Sequence, residues 1–191
     1  AMKELGALKT FEKSPSINSF LYEFYSMGAV RHGDYIAKVR VIPTEQTKNA
    51  ITEKDIDLDS AEWPYRKGII KEIAQKNLTF ELQIQLCKNL KEMPVNDLTK
   101  EWSQELSPFR TVAKITIPKQ TVPEDGNFEI MENLSFTPFR TIEENSPIGN
   151  LQRSRQSAYV TSSTSRHELN HKKRKEPKNL EEAFSPKFYQ L

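Results

Sequence analysis

Residues 78–86 read LTFELQIQL, and they decide the class of fold. Apolar and polar residues alternate without a break, placing Leu78, Phe80, Leu82, Ile84 and Leu86 on one face. A period of two belongs to a half-buried β-strand. Upstream, Ile36 to Pro43 alternates apolar with basic residues, and downstream Phe109 to Pro118 alternates and closes on proline, so both are expected strands. Between them, residues 44–62 are polar without a period and read as a loop. Trp63-Pro64 then opens a short amphipathic helix over Tyr65 to Lys76, with Ile69, Ile70, Ile73 and Ala74 at helical spacing. Met93 to Asp97 is a turn, a second turn is expected at Val122–Asn127, and a second helix is expected from about Asn150. Period-two strands with a few helices make an α+β fold with antiparallel pairing.

Composition narrows the function classes. The 191 residues are 36% hydrophobic and 28% charged, enough for a real core. A net charge of +2 is far from the balance of a dedicated nucleic-acid binder, and six glycines leave little for glycine-rich phosphate cradles. Cys87 is the only cysteine, which excludes an internal disulfide and paired-cysteine metal ribbons. No apolar run is long enough to span a membrane and no signal-peptide pattern opens the chain, so a soluble, intracellular, cytoplasmic protein is expected.

The chemistry concentrates at residues 138–166, PFRTIEENSPIGNLQRSRQSAYVTSSTSR. Arg155 precedes Tyr159 by four residues, so on a helix the guanidinium lies beside the phenol. A cation at that oxygen suits a tyrosinate ligand to ferric iron. Arg166 falls two turns beyond Tyr159, within about 20° of it around the axis, where it suits an acidic group at the same site. The spacing therefore allows a haem site with Tyr159 as metal ligand.

Read together, four segments resemble the catalase superfamily, specifically its small catalase-related haem proteins. Tyr25-Ser26 followed by Arg31-His-Gly-Asp-Tyr-Ile-Ala-Lys38 is similar to that family's strand entry. Phe80 to Cys87 with Met93-Pro-Val-Asn-Asp97 is similar to a further strand and turn. Glu101-Trp102, Leu106-Ser-Pro108, Thr111-Val-Ala-Lys114 and Pro118-Lys-Gln120 follow in matching order and spacing. Leu134-Ser-Phe136, Pro138, Pro147-Ile-Gly149 and Arg153-Ser-Arg155 with Tyr159 complete the set. The resemblance covers roughly residues 20–166 and matches the C-terminal, proximal half of such proteins.

What it implies is an antiparallel β-barrel, here partial, with flanking helices and haem b as cofactor. Tyr159 would be the axial tyrosinate, Arg155 its hydrogen-bonding partner and Arg166 a propionate contact. The implied substrates are hydrogen peroxide or organic and fatty-acid hydroperoxides. Residues 1–19 would be a lead-in, 20–166 the barrel segment and 167–191 a polar basic tail. Oligomerisation is expected, and an N-terminal half or partner chain is expected to complete the pocket. No membrane or nucleic-acid partner is implied.

Departures from the family pattern accompany the match. Thr137-Pro-Phe-Arg140 stands where the family has Asn-Pro-Trp-His, and Gln152 stands where an asparagine precedes the first arginine. His32 lies in the strand entry and does not match the distal histidine motif, so no catalytic acid–base residue is identified. A non-enzymatic interaction module built on the same barrel remnant is the alternative from another class. His167-Glu-Leu-Asn-His171 is formally HExxH, with Glu181 or Glu182 as a third ligand of a zinc hydrolase; its Ser-Arg and Lys-Lys-Arg-Lys flanks read as a solvated tail instead. Lys172–Lys175 reads as part of that tail, Cys87 as a structural cysteine, and the aromatic run Phe20, Tyr22, Phe24 and Tyr25 as core packing more than a haem edge.

Overall fold

The structure, a computed structural model, describes residues 16–122, 134–172 and 178–179. Five strands form one antiparallel sheet: β1 (Phe24–Tyr25), β2 (Val30–His32), β3 (Tyr35–Pro43), β4 (Leu78–Leu86) and β5 (Arg110–Ile117). Among the described residues, three α-helices accompany them: α1 (Glu45–Ala50), α2 (Pro64–Ile73) and α3 (Asn150–Leu169). The order across the sheet is β1-β3-β4-β5, with β2 pairing antiparallel to β3 in the register Val30↔Ala37, Arg31↔Ile36 and His32↔Tyr35.

The expected barrel is not closed. Closing a sheet into a barrel needs strands long enough to tilt and stagger around a common axis. Among the described residues, two of the five strands have two and three residues, and β5 ends the sheet with Arg110 to Thr116 exposed. The strand boundaries expected at 36–43, 78–86 and 109–118 lie within a residue of those observed. The turn expected at Val122–Asn127 falls almost wholly outside the described residues, as does most of the tail.

The chain forms two compact units and, among the described residues, passes between them after Phe24, Arg40, Gln83 and Arg110. The first gathers Ile51, Ile73, Leu78 and Phe80 into a core, with Phe20, Leu21, Val41, Ile69, Ile117 and Val122 packed against it. Phe20 meets Phe80 with ring centroids 6.1 Å apart, the core role expected of the first aromatic in its run, whereas Phe24 and Tyr25 are exposed. Helix α1 corrects the loop expected at 44–62. It lacks an apolar stripe because hydroxyls hold it: Thr44 Oγ1 accepts from the Thr47 amide at 3.2 Å, and Thr47 Oγ1 donates to the Thr79 carbonyl at 2.7 Å. Helix α2 begins with proline at its first turn, after Trp63 in the left-handed region at φ 61°. Near its end Glu72 is buried at 1% exposure; one carboxylate oxygen accepts from the Thr52 amide, the Thr52 hydroxyl and the Glu53 amide at 3.1, 2.8 and 3.2 Å. The other oxygen pairs with Lys76 at 2.7 Å.

Strand β4 departs from strict alternation. Leu78, Phe80 and Ile84 are buried as expected, but Leu82 and Leu86 are half-buried, while Thr79, Gln83 and Gln85 on the opposite face are buried. A central strand covered on both faces must satisfy its polar groups locally. Gln85 does so within the second unit by donating to the carbonyls of Trp102 and Ser107 at 3.0 and 2.9 Å.

The second unit packs Ala29, Met93 and Trp102 together with Ile36, Cys87, Val95 and Ile148. Trp102 donates its indole N–H to the Pro94 carbonyl at 3.0 Å, and Lys38 Nζ stands 4.7 Å from its ring centroid. The segment before α3 runs along β2: Arg31 N donates to Ser146 O at 2.8 Å, and Ile148 N donates to Ala29 O at 3.0 Å. Arg31 also pairs with Glu143 at 3.0 Å. These contacts deliver the chain to Gly149, where α3 begins.

Candidate functional site

Helix α3 carries the three candidate residues. It starts at Gly149, whose φ of 95° and ψ of 167° belong to a region open essentially to glycine. Gly149 offers no side-chain cap, and the Asn150 amide is met instead by Asn96 Oδ1 at 2.8 Å. Along the helix, Gln152, Ser163 and His167 are buried, and Arg155, Tyr159 and Arg166 are half-buried. Their spacing of three and four residues makes one seam. Arg153, Ser154, Ser157 and Val160 face outward.

Arg155 and Tyr159 are side by side, as their spacing predicts. Arg155 Nη2 donates to the Tyr159 hydroxyl at 2.7 Å, and the guanidinium carbon stands 5.2 Å from the ring centroid. The length is that of a charge-assisted hydrogen bond. The second arm of the fork, Nη1, donates to Gln152 Oε1 at 2.9 Å. Two turns on, Arg166 Nη2 donates to the Leu134 carbonyl at 2.6 Å, and Ser163 joins Ser135 hydroxyl to hydroxyl at 3.2 Å. These last contacts dock the second half of α3 onto residues 134–135. The seam thus presents a phenol oxygen held by one arginine, with a second arginine on the same side of the helix.

Sequence reading missed Gln152 and Asn96 as parts of this arrangement. Gln152 carried one signal, its place three residues before Arg155. Asn96 carried none, because its role depends on packing of the 93–97 turn against Gly149.

The other candidates separate from the seam. The HExxH geometry does not form: α3 ends at Leu169, and His171 lies beyond the helix at φ 52°. The two histidines therefore share no helix face. His167 is buried with Nδ1 2.6 Å from the Ser163 carbonyl, and since a carbonyl only accepts, Nδ1 carries the proton. Glu181 and Glu182 lie outside the described residues. Among the described residues no group of three His, Cys, Asp or Glu side chains is placed to hold a metal ion. His32 is exposed on β2, and Cys87 is half-buried with Sγ 3.5 Å from the Met93 carbonyl. No helix among the described residues is long and apolar enough to cross a membrane.

No protein family and no curated protein matches the sequence. Solved structures do match. A fungal catalase superposes with a TM-score of 0.61 at 19% identity, covering 80% of this chain and 32% of its own. Catalase A from Saccharomyces cerevisiae superposes with a TM-score of 0.59 at 17% identity, covering 93% of this chain and 41% of its own. The likeness is one of fold, and the chain spans about a third to two fifths of the catalase chains it matches.

Proposed function

We propose that this chain is a catalase-related haem protein, or the subunit or segment of one, whose Tyr159 would hold the haem iron. The observation behind this reading is the 2.7 Å hydrogen bond from Arg155 to the Tyr159 hydroxyl on a half-buried seam of α3. The donor set suits ferric haem: a phenolate oxygen is a hard, anionic ligand, and Arg155 would stabilise negative charge on it once it holds iron. Arg166, within about 20° of Tyr159 around the helix, supplies positive charge for a propionate. Bound haem would supply the iron that exchanges electrons with hydrogen peroxide or an organic hydroperoxide. The chain's own residues would hold the iron, fix the charge on its ligand and orient the macrocycle. Acid–base work on the peroxide is assigned to no residue of this chain.

The test is optical titration of the chain with hemin, beside Tyr159→Phe. Uptake at micromolar concentration with a high-spin tyrosinate spectrum, lost in Tyr159→Phe, supports the reading. An intact fold that takes up no hemin sinks it.

Strand β5 favours a second reading, an interaction module without haem. Its residues Arg110 to Thr116 are exposed at the end of the sheet, and an uncovered strand of this kind is a pairing surface. Self-association or partner capture abolished by Val112→Lys, in a chain inert to hemin, would establish it.

A further inference from the structure

Gln152 is buried to 3% on a helix whose neighbouring positions 153 and 154 are exposed, and it touches three groups. Its Oε1 accepts from Arg155 Nη1 at 2.9 Å. Its Nε2 faces the Ala29 carbonyl at a longer 3.4 Å. Its side-chain end packs on Gly28 so closely that a Cβ there would stand 2.9 Å from Nε2 and 3.1 Å from Cδ. Chemistry fixes the amide orientation: guanidinium only donates and carbonyl only accepts, so oxygen faces Arg155 and nitrogen faces Ala29.

We infer that Gln152 is the positioning residue for Arg155, anchoring one arm of the guanidinium fork so that the other is aimed at the Tyr159 oxygen. A long arginine side chain has much rotamer freedom to lose, and a planar fork held at one arm loses it before the ligand arrives. A relay results, from the Ala29 carbonyl through Gln152 and Arg155 to Tyr159, which ties the candidate ligand to the backbone beside β2. The inference deepens the haem reading and rests on it for its consequence, while the hydrogen-bond chain itself is measurable without haem.

Two measurements keep the claims apart. The first is nitrogen-detected NMR of the Arg155 guanidinium in the chain without added haem. Hindered rotation in the wild type, averaged in Gln152→Ala and partly restored in Gln152→Glu, supports the inference, because glutamate keeps an acceptor for Nη1 but gives up the donor to the Ala29 carbonyl. Rotation equally hindered in Gln152→Ala overturns it. The second is hemin titration of the same three proteins, with circular dichroism to confirm the helix. Binding weakened about tenfold in Gln152→Ala, with ligand-to-iron bands shifted toward those of Arg155→Ala, supports it; this is the loss of one hydrogen bond to a charged group. Wild-type affinity and bands in Gln152→Ala overturn it. Should the wild type take up no hemin, the haem reading fails and the NMR result alone decides the role of Gln152.

Discussion

Asn96 caps a helix that begins 54 residues later: its Oδ1 accepts the Asn150 amide at 2.8 Å, at the first residue of α3. Helix termini leave backbone amides without partners, and the glycine at this cap position has no side chain to serve them. Asn96→Ala is therefore expected to cost about 1 kcal/mol, the usual worth of a capping side chain. Asn96→Asp should retain most of it, since a carboxylate also complements the helix dipole. Urea denaturation gives the values, and faster amide exchange in the first turn of α3 would place the loss there.

Gly149 stands against the same turn. At φ 95° and ψ 167° any other residue is strained, and a Cβ would lie 2.7 Å from Val95 Cγ1. Gly149→Ala should cost about 1–3 kcal/mol from backbone strain, with the clash added. Combined with Asn96→Ala, the total should fall short of the sum, because both changes break one contact. Additive losses would show that the glycine and the cap act independently.

The pH response should centre on Glu72. Burial pushes its carboxyl upward, but the Lys76 ammonium, the Thr52 hydroxyl and the two backbone amides outweigh that and hold it below the ordinary carboxylate value. A folded-state value below the unfolded one means stability present above the unfolded pKa and lost as pH falls through the folded one. Glu72→Gln should flatten the acid limb of a stability–pH curve and leave Lys76 poorly paired. Glu72→Ala should be worse, by roughly 3–5 kcal/mol at neutral pH, since Lys76 and three donors lose their acceptor. An unchanged acid limb in Glu72→Gln would rule the carboxylate out.

Local rules carried some of this fold and not the rest. Strand β4 was legible at both ends because alternation is a property of neighbours in sequence. The burial of Gln83 and Gln85 was not, because it depends on what covers the opposite face. Helix α1 was invisible to periodicity: its support is a hydroxyl clasp to Thr79, 32 residues from Thr47. The site divides the same way. Arg155 and Tyr159 are neighbours by helical arithmetic, whereas Gln152 acquires its meaning from Ala29, 123 residues away. A partial barrel was an expectation of resemblance, and the sheet, with its short β1 and β2, is not closed into one.

Arg155→Lys tests whether the fork matters or only the charge. Arginine reaches Gln152 and Tyr159 with different nitrogens, at 2.9 and 2.7 Å. A lysine presents one compact ammonium and cannot hold that planar, two-armed geometry. Thermal stability should change by less than about 1 kcal/mol at this half-buried position. If the chain takes up hemin as proposed, its spectrum should nevertheless move, because the hydrogen bond to the Tyr159 oxygen is weakened. A spectrum identical to wild type would mean that positive charge alone suffices.

Gly28→Ala probes the relay from its far end. The new Cβ would press on the tip of Gln152, 2.9 Å from Nε2, and a flexible tip can withdraw without unfolding the helix. The cost in stability should therefore stay small, about 1 kcal/mol or less, within the range of ordinary substitutions. The displaced amide would lose the Ala29 carbonyl and release Arg155 Nη1. Guanidinium rotation should become as free as in Gln152→Ala while circular dichroism stays unchanged. If Gly28→Ala leaves Arg155 as hindered as before, the backbone beside β2 does not steady the Arg155–Tyr159 pair, and the relay ends at Gln152.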